Sequence, residues 1–181
     1  MPGAGYEKIG NVVLASLALA LAFTTPFEDL SARAVVLLFT RTDCPISNRY
    51  APEMKRVYEK YASQGVRFYL VYPDRDETPA AIEKHRSDFG YPMPAIQDPK
   101  HEWVARVGAK VTPEAAVFVP SKGSFHLIYH GRIDDRYIDF GKSRREASVH
   151  DLQNAIEAGL AGRAVSLAET KAIGCYIADL R

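Results

Sequence analysis

Two side chains of this sequence can act as sulfur nucleophiles: Cys44 and Cys175, its only cysteines. Two thiols are too few for a disulfide framework or for a four-thiolate zinc or iron–sulfur site. They leave one disulfide, one reactive thiol with a partner, or two inert buried thiols. Cys44 stands in Arg41-Thr42-Asp43-Cys44-Pro45-Ile46-Ser47, between an apolar run and a stretch with helical spacing. A thiol at a helix N-terminus meets unpaired backbone N–H groups and the positive end of the helix dipole. Such surroundings lower a cysteine pKa from about 8.5 to between about 3.5 and 7.5. The thiolate is the species that exchanges with disulfides. Asp43 opposes the second negative charge, and Arg41 and Arg49 are close enough in sequence to offset it. Ser47 is placed to hydrogen-bond the sulfur. The competing reading of Cys44 is an inert thiol buried at a strand end.

The elements that must hold these residues follow from the hydrophobic pattern. Residues 34–40 form a continuous apolar run rich in Val and Leu, as in a strand buried on both faces. Pro45 suits the first turn of a helix, where its missing N–H needs no partner. From 46 to 63 the apolar residues Ile46, Tyr50, Met54, Val57, Tyr58 and Tyr61 recur at spacings of three and four, with Pro52 predicting a kink and Gly65 a stop. A second strand is expected over 66–72, and a helix capped by Thr78 over 79–89. A short strand follows between two prolines over 93–97, then a short helix introduced by Asp98 and ending near Val107. Thr112-Pro113 precedes a strand over 115–119. Ser121-Lys122-Gly123 reads as a hairpin turn into a last strand over 125–130. Residues 131–146 read as a charged loop, with 132–137 paired within itself and solvated. Ser148 is the expected cap of a final helix over 149–160.

The composition narrows the function classes. The chain has 181 residues, 47% hydrophobic and 25% charged, which are values of a globular domain. Its 23 Lys and Arg balance 22 Asp and Glu, so no concentrated positive charge marks a nucleic-acid partner. Residues 12–23 are apolar, too short for a comfortable membrane span, and carry small-x-small patterns at 18–20 and 20–22. They read as a signal peptide over 1–23, which exports the mature chain to a periplasmic or other extracytoplasmic compartment where disulfides persist. If 12–23 instead pack on the domain, the protein is cytoplasmic. No stable membrane span is expected in the mature chain.

The strand running into Thr42-Asp43-Cys44-Pro45-Ile46-Ser47, the Val111-Thr112-Pro113 entry to the strand–hairpin block, and the long segment between them resemble the thioredoxin-like superfamily. The branch they resemble holds the redoxins and the alkyl hydroperoxide reductase–thiol-specific antioxidant proteins. The resemblance covers roughly residues 24–162. It implies an α/β, three-layer fold with a central mixed β-sheet flanked by helices, followed by a tail over 163–181 that carries Cys175. It implies thiol–disulfide exchange through Cys44, with protein thiols or disulfides, or a small thiol, as partners and no cofactor. Thr112 and Pro113, the latter after a cis bond, would seat a substrate strand, with Asp43 and Pro45 beside it. Two departures matter. The fourth position of the Cys-Pro-Ile-Ser motif is Ser47, so a dithiol cycle within the motif is closed. The peroxiredoxin pattern of Pro seven and Thr three before the cysteine is replaced by Leu37 and Arg41, which argues against a thiol peroxidase.

Cys175 has three readings: a thiol that resolves Cys44, a link to a partner, or a packed tail residue. Fifteen residues from Leu160 can span the domain, and Gly174 permits backbone conformations closed to other residues. Val165, Leu167 and Ile173 give the tail enough apolar material to dock elsewhere. The expectation is therefore Cys175 at the surface or edge, without a bond to Cys44. The five histidines offer no metal-ligand spacing on one helix, although His126 and His130 share a strand face, so no metal is expected. A third function remains: a non-catalytic module that binds a protein partner or a metal.

Overall fold

The structure is a computed structural model that describes residues 26–178. The expected signal segment over 1–23 lies outside the described residues. In chain order the elements are β1 (Ala34–Phe39), α1 (Pro45–Tyr61), β2 (Val66–Tyr72), α2 (Pro79–Phe89), β3 (Ala95–Gln97), α3 (Glu102–Val107) and β4 (Val111–Thr112). There follow β5 (Glu114–Ser121), β6 (Ser124–Gly131), β7 (Tyr137–Asp139), β8 (Lys142–Ser143), α4 (Asp151–Leu160) and β9 (Cys175–Tyr176). The central sheet has the order β3-β2-β1-β5-β6. The first three strands are parallel, and β5 and β6 run antiparallel to their neighbours. This is the thioredoxin-like α/β arrangement.

β1 is central because every residue in it is buried. Its side chains divide between two cores, as strand alternation requires. Val36 and Leu38 pack with Met54 and Val57 of α1 and with Leu152, Ala155 and Ile156 of α4. Val35, Leu37 and Phe39 face the opposite side, with Val104 and Val107 of α3 and with Phe118, Phe125 and Ile177. The sheet is thus covered on both faces. α1 runs unbroken through Pro52. Asp98 serves the start of α3, its carboxylate accepting from the N–H groups of Glu102, Trp103 and Val104 at 2.7–3.0 Å.

Two expectations need correction. Residues 132–137 are not a solvated, self-paired loop. Ile133, Asp134 and Asp135 are buried, and the Tyr50 hydroxyl of α1 donates to Asp134 at 2.5 Å. Ser148 does not cap α4, which begins at Asp151; instead the N–H groups of Ser148 and Val149 donate to the Asp135 carboxylate at 2.6 and 2.9 Å. Asp135 draws on the loop's own N–H groups and Asp134 on a hydroxyl from α1, pairings that charge pattern alone does not reveal.

Candidate active site

Cys44 occupies the N-cap of α1, with Pro45 in the first turn. β1 delivers it to the C-terminal end of the sheet, where Phe39 pairs with Glu114 of the neighbouring β5. The sulfur receives the Ser47 N–H at 3.5 Å. It also lies 3.1 Å from the Thr112 carbonyl oxygen. Thr112 and Pro113 are therefore beside the thiol, and the bond between them is cis. Cys44 is only 1% exposed, and Ser47 and Thr112 are wholly buried. The hydroxyls of Thr40, Ser47 and Thr112 are buried without an aligned partner. Asp43 and Pro45 face solvent at the rim. Asp43 is paired with Arg41 at 3.2 Å, and Arg41 also holds Asp74 at 2.8 Å. Arg49 is exposed on α1.

The tail supplies what covers the thiol. β9 pairs antiparallel with β4, so that Cys175 stands opposite Thr112 and Tyr176 opposite Val111. The Ile177 N–H extends the ribbon to the Lys110 carbonyl at 3.0 Å. The two sulfurs are 2.7 Å apart. A disulfide bond is about 2.03–2.05 Å, so a movement well under 1 Å joins them. Both cysteines are free thiols in this structure. The tail therefore does not dock away from Cys44, contrary to the expectation from its apolar residues. Val165 and Ile173 do pack on the main core, and that docking brings the tail across the site instead of away from it.

Two glycines make this crossing possible. A Cβ on Gly174 would lie 2.1 Å from the Thr112 carbonyl oxygen. Gly174 thus serves the close approach expected of it, through its missing side chain. A Cβ on Gly131 would meet Thr170 at 2.2 Å, where the tail first crosses the sheet. There the N–H groups of His130 and Thr170 bond to Ala168 and His130 carbonyls, and the Tyr129 hydroxyl meets that of Thr170 at 2.7 Å. His130 lies between Glu114 and Glu169, at 3.4 and 3.7 Å.

The loop before Cys44 is held by groups that sequence reasoning missed. Glu77 accepts the Thr42 N–H at 2.6 Å. The Asn48 amide donates to the Thr42 carbonyl at 3.1 Å and accepts from His85 Nε2 at 2.9 Å. The other His85 nitrogen accepts from the Tyr72 hydroxyl at 2.8 Å. Burial lowers the His85 pKa, so the ring is held neutral within this chain. The recurrence of Tyr, His and Asn on separate elements carries no signal in the sequence; only folding brings them together.

The two thiols are electrostatically unlike. Burial raises the Cys44 pKa, but hydrogen bonds from Cys175 and Ser47 lead the effects that outweigh it and hold Cys44 below an ordinary thiol. Burial, the hydrogen bond to Cys44 and the charge there push Cys175 up to about 12. Of the two thiols, Cys44 therefore loses its proton first and Cys175 keeps its own. Such a pair can form and break a disulfide, with Cys44 as the nucleophile.

The AhpC/TSA family matches residues 21–134. The fold is similar to that of a hypothetical protein from Sinorhizobium meliloti 1021, with 24% identity, a TM-score of 0.69, and coverage of 82% of this chain and 80% of that one. It is also similar to an uncharacterized conserved protein from Geobacillus kaustophilus, with 26% identity, a TM-score of 0.68, and coverage of 83% and 79%. A candidate thiol:disulfide interchange protein DsbE from Chlorobium tepidum is more distant, at 19% identity and a TM-score of 0.52, covering 73% of this chain and 83% of that one. No curated protein sequence matches the chain.

Proposed function

Because the chain belongs to the AhpC/TSA family, we propose that it is a thiol–disulfide oxidoreductase whose working couple is Cys44 and Cys175. The observation that carries this reading is the 2.7 Å separation of the two sulfurs, reached by a tail that pairs with the residue before the cis-proline. The structural likeness to a candidate thiol:disulfide interchange protein supports the same class of reaction. In the reductive direction the Cys44 thiolate attacks a substrate disulfide, forming a mixed disulfide and expelling one substrate thiolate. Cys175 then loses its proton, attacks the Cys44 sulfur, and releases the second thiolate. Two electrons pass to the substrate, and Cys44–Cys175 becomes the disulfide. An external thiol returns it to the dithiol. The substrates are protein thiols or disulfides, or a small thiol. Ser47 steadies the Cys44 thiolate, and Thr112 and Pro113 offer the edge along which a substrate strand lies, with Asp43 and Pro45 at its rim. With the tail docked, that edge is filled by β9, so the tail lifts before Cys44 is reached.

A couple of this kind suits an oxidising compartment, in keeping with the export expected from residues 12–23. Among the described residues no helix is long and apolar enough to cross a membrane. Mass spectrometry of the purified protein under non-reducing conditions tests the reading. The expected result is a mass lower by two hydrogens and no cysteine alkylated until a reductant is added. The same spectrum reports the N-terminus. Two alkylatable thiols after exposure to an oxidised glutathione buffer would overturn the couple.

A further inference from the structure

We propose that Glu53, Asp134 and His150 form a binding site for a divalent transition-metal ion, with zinc as the probe. The three come from separate elements: Glu53 from α1, Asp134 from the segment after β6, and His150 from the residue before α4. One ligand atom from each lies within 4.8 Å of the other two. The site is distinct from the Cys44–Cys175 couple, shares no residue with it, and stands or falls independently of it.

The geometry of Asp134 points to a cation. Its side chain is 1% exposed. Its Oδ1 accepts from the Tyr50 hydroxyl at 2.5 Å and from the Arg136 N–H at 2.9 Å, both neutral donors. Its Oδ2 is buried and has no partner. A buried carboxylate oxygen left bare is costly, and such atoms are rare in folded proteins. Among the described residues Asp134 makes no ion pair; a second carboxylate and an imidazole lie within reach of it, and the Arg56 guanidinium beside them is bound to Glu53. Two carboxylates this close repel unless a positive charge sits between them.

The donor set suits a borderline ion. One imidazole nitrogen and two carboxylate oxygens, with water in a fourth position, form a familiar zinc environment. An ion at the centre of a triangle with 4.8 Å sides is about 2.8 Å from each corner, and zinc–ligand bonds are about 2.0–2.2 Å. Each side chain therefore has to close by well under about 1 Å. His150 has the freedom to do so, since its side chain is 45% exposed. Glu53 is the tighter case. Arg56 grips its carboxylate at 2.6 and 2.8 Å, and Gln153 approaches one of its oxygens at 3.3 Å. Arg56 lies on the same helix with a half-exposed side chain, so it can yield one oxygen to the ion and keep the other. A bound ion would tie α1, the segment after β6 and the start of α4 together.

The test is zinc titration of the full chain by calorimetry, with the melting midpoint followed in parallel. It is run in a Cys44→Ser, Cys175→Ser background, since free thiols also bind zinc. The expected result is one zinc per chain, a raised midpoint, and at least tenfold weaker binding in His150→Ala and in Asp134→Asn. Magnesium at the same concentration should give no response, because an imidazole ligand does not suit it. If Asp134→Asn fails to fold, His150→Ala alone decides, as this residue is half-exposed. Absence of zinc binding in the parent, or binding unchanged by His150→Ala, would overturn the site.

Discussion

Gly174→Ala should uncouple the two thiols without touching either. The added Cβ would lie 2.1 Å from the Thr112 oxygen, 2.6 Å from its carbonyl carbon and 3.1 Å from the Pro113 nitrogen. All three are backbone atoms of the segment that carries the cis bond, so no side chain can swing away to make room. A carbon–oxygen contact relaxes only at about 3.3 Å, so the tail has to withdraw by about 1 Å or more. Withdrawal on that scale opens the β4–β9 pairing and strains the bond from Ile177 to Lys110. Two backbone hydrogen bonds at about 1 kcal/mol each come to about 2 kcal/mol, or about a thirtyfold change in an equilibrium constant. The variant's disulfide should therefore be about thirtyfold easier to reduce, a rise of about 45 mV in its potential. Equilibration against glutathione buffers, read out by alkylation and mass, measures this directly. In the reduced variant, Cys44 should also be alkylated faster, because its cover is loosened. An unchanged equilibrium constant would refute the claim that the tail's close approach at Gly174 holds the couple together.

Cys44→Ser should abolish disulfide reduction. Cys175→Ser should still attack but stall as a mixed disulfide, visible as an adduct mass on Cys44; full turnover of either variant would remove the couple. Hydrogen peroxide should oxidise Cys44 no faster than an ordinary low-pKa thiol, because Leu37 and Arg41 stand where a peroxidase would have Pro and Thr; consumption orders of magnitude faster would restore the peroxidase reading. His85 is held neutral by burial, with its pKa below 6.5. The unfolded chain therefore binds a proton that the folded chain refuses, and stability conferred by the neutral ring falls as pH drops through about 6.5. Melting scans from pH 7.5 to 5 should show this loss, and His85→Gln should flatten it; an equal acid slope in both proteins would discount the role of His85.

The fold was legible where one element's pattern sufficed. The all-apolar run at 34–39, the three- and four-residue spacing after Pro45, and the Lys122-Gly123 turn each became the expected element. The mixed central sheet implied by the resemblance is there, with Val36 of β1 opposite Val117 of the antiparallel β5. What escaped depended on residues far apart in sequence. Glu77 and Thr42 are separated by 35 positions, and Tyr50 and Asp134 by 84. Neither bond has a periodicity to betray it. Ser148 fits the chemistry of a cap, but the buried carboxylate of Asp135 draws in the N–H groups of Ser148 and Val149, and the helix begins only at Asp151. The tail was the hardest case. Its apolar residues indicated docking without saying where, and the deciding features were absences of side chains, at Gly131 and Gly174.

The two thiols differ enough that the entry point of an external reductant can be assigned. In the oxidised couple an incoming thiolate attacks one sulfur and expels the other. The sulfur whose thiol has the lower pKa leaves faster. Cys44 is held below the ordinary thiol value and Cys175 is pushed up to about 12, so Cys44 is the better leaving group. Access favours the same choice. Cys44 is buried to 1% beneath the tail, whereas Cys175 is partly exposed on the outer strand. Reduction should therefore begin at Cys175, forming an external thiol–Cys175 mixed disulfide and freeing the Cys44 thiolate. A second external thiolate then releases Cys175. Acid quenching early in the reaction, alkylation, and peptide mass mapping would show the external thiol on the Cys175 peptide and the alkyl group on the Cys44 peptide. The opposite distribution would mean that the tail leaves its groove before reduction starts, and that the β4–β9 ribbon does not govern access to the couple.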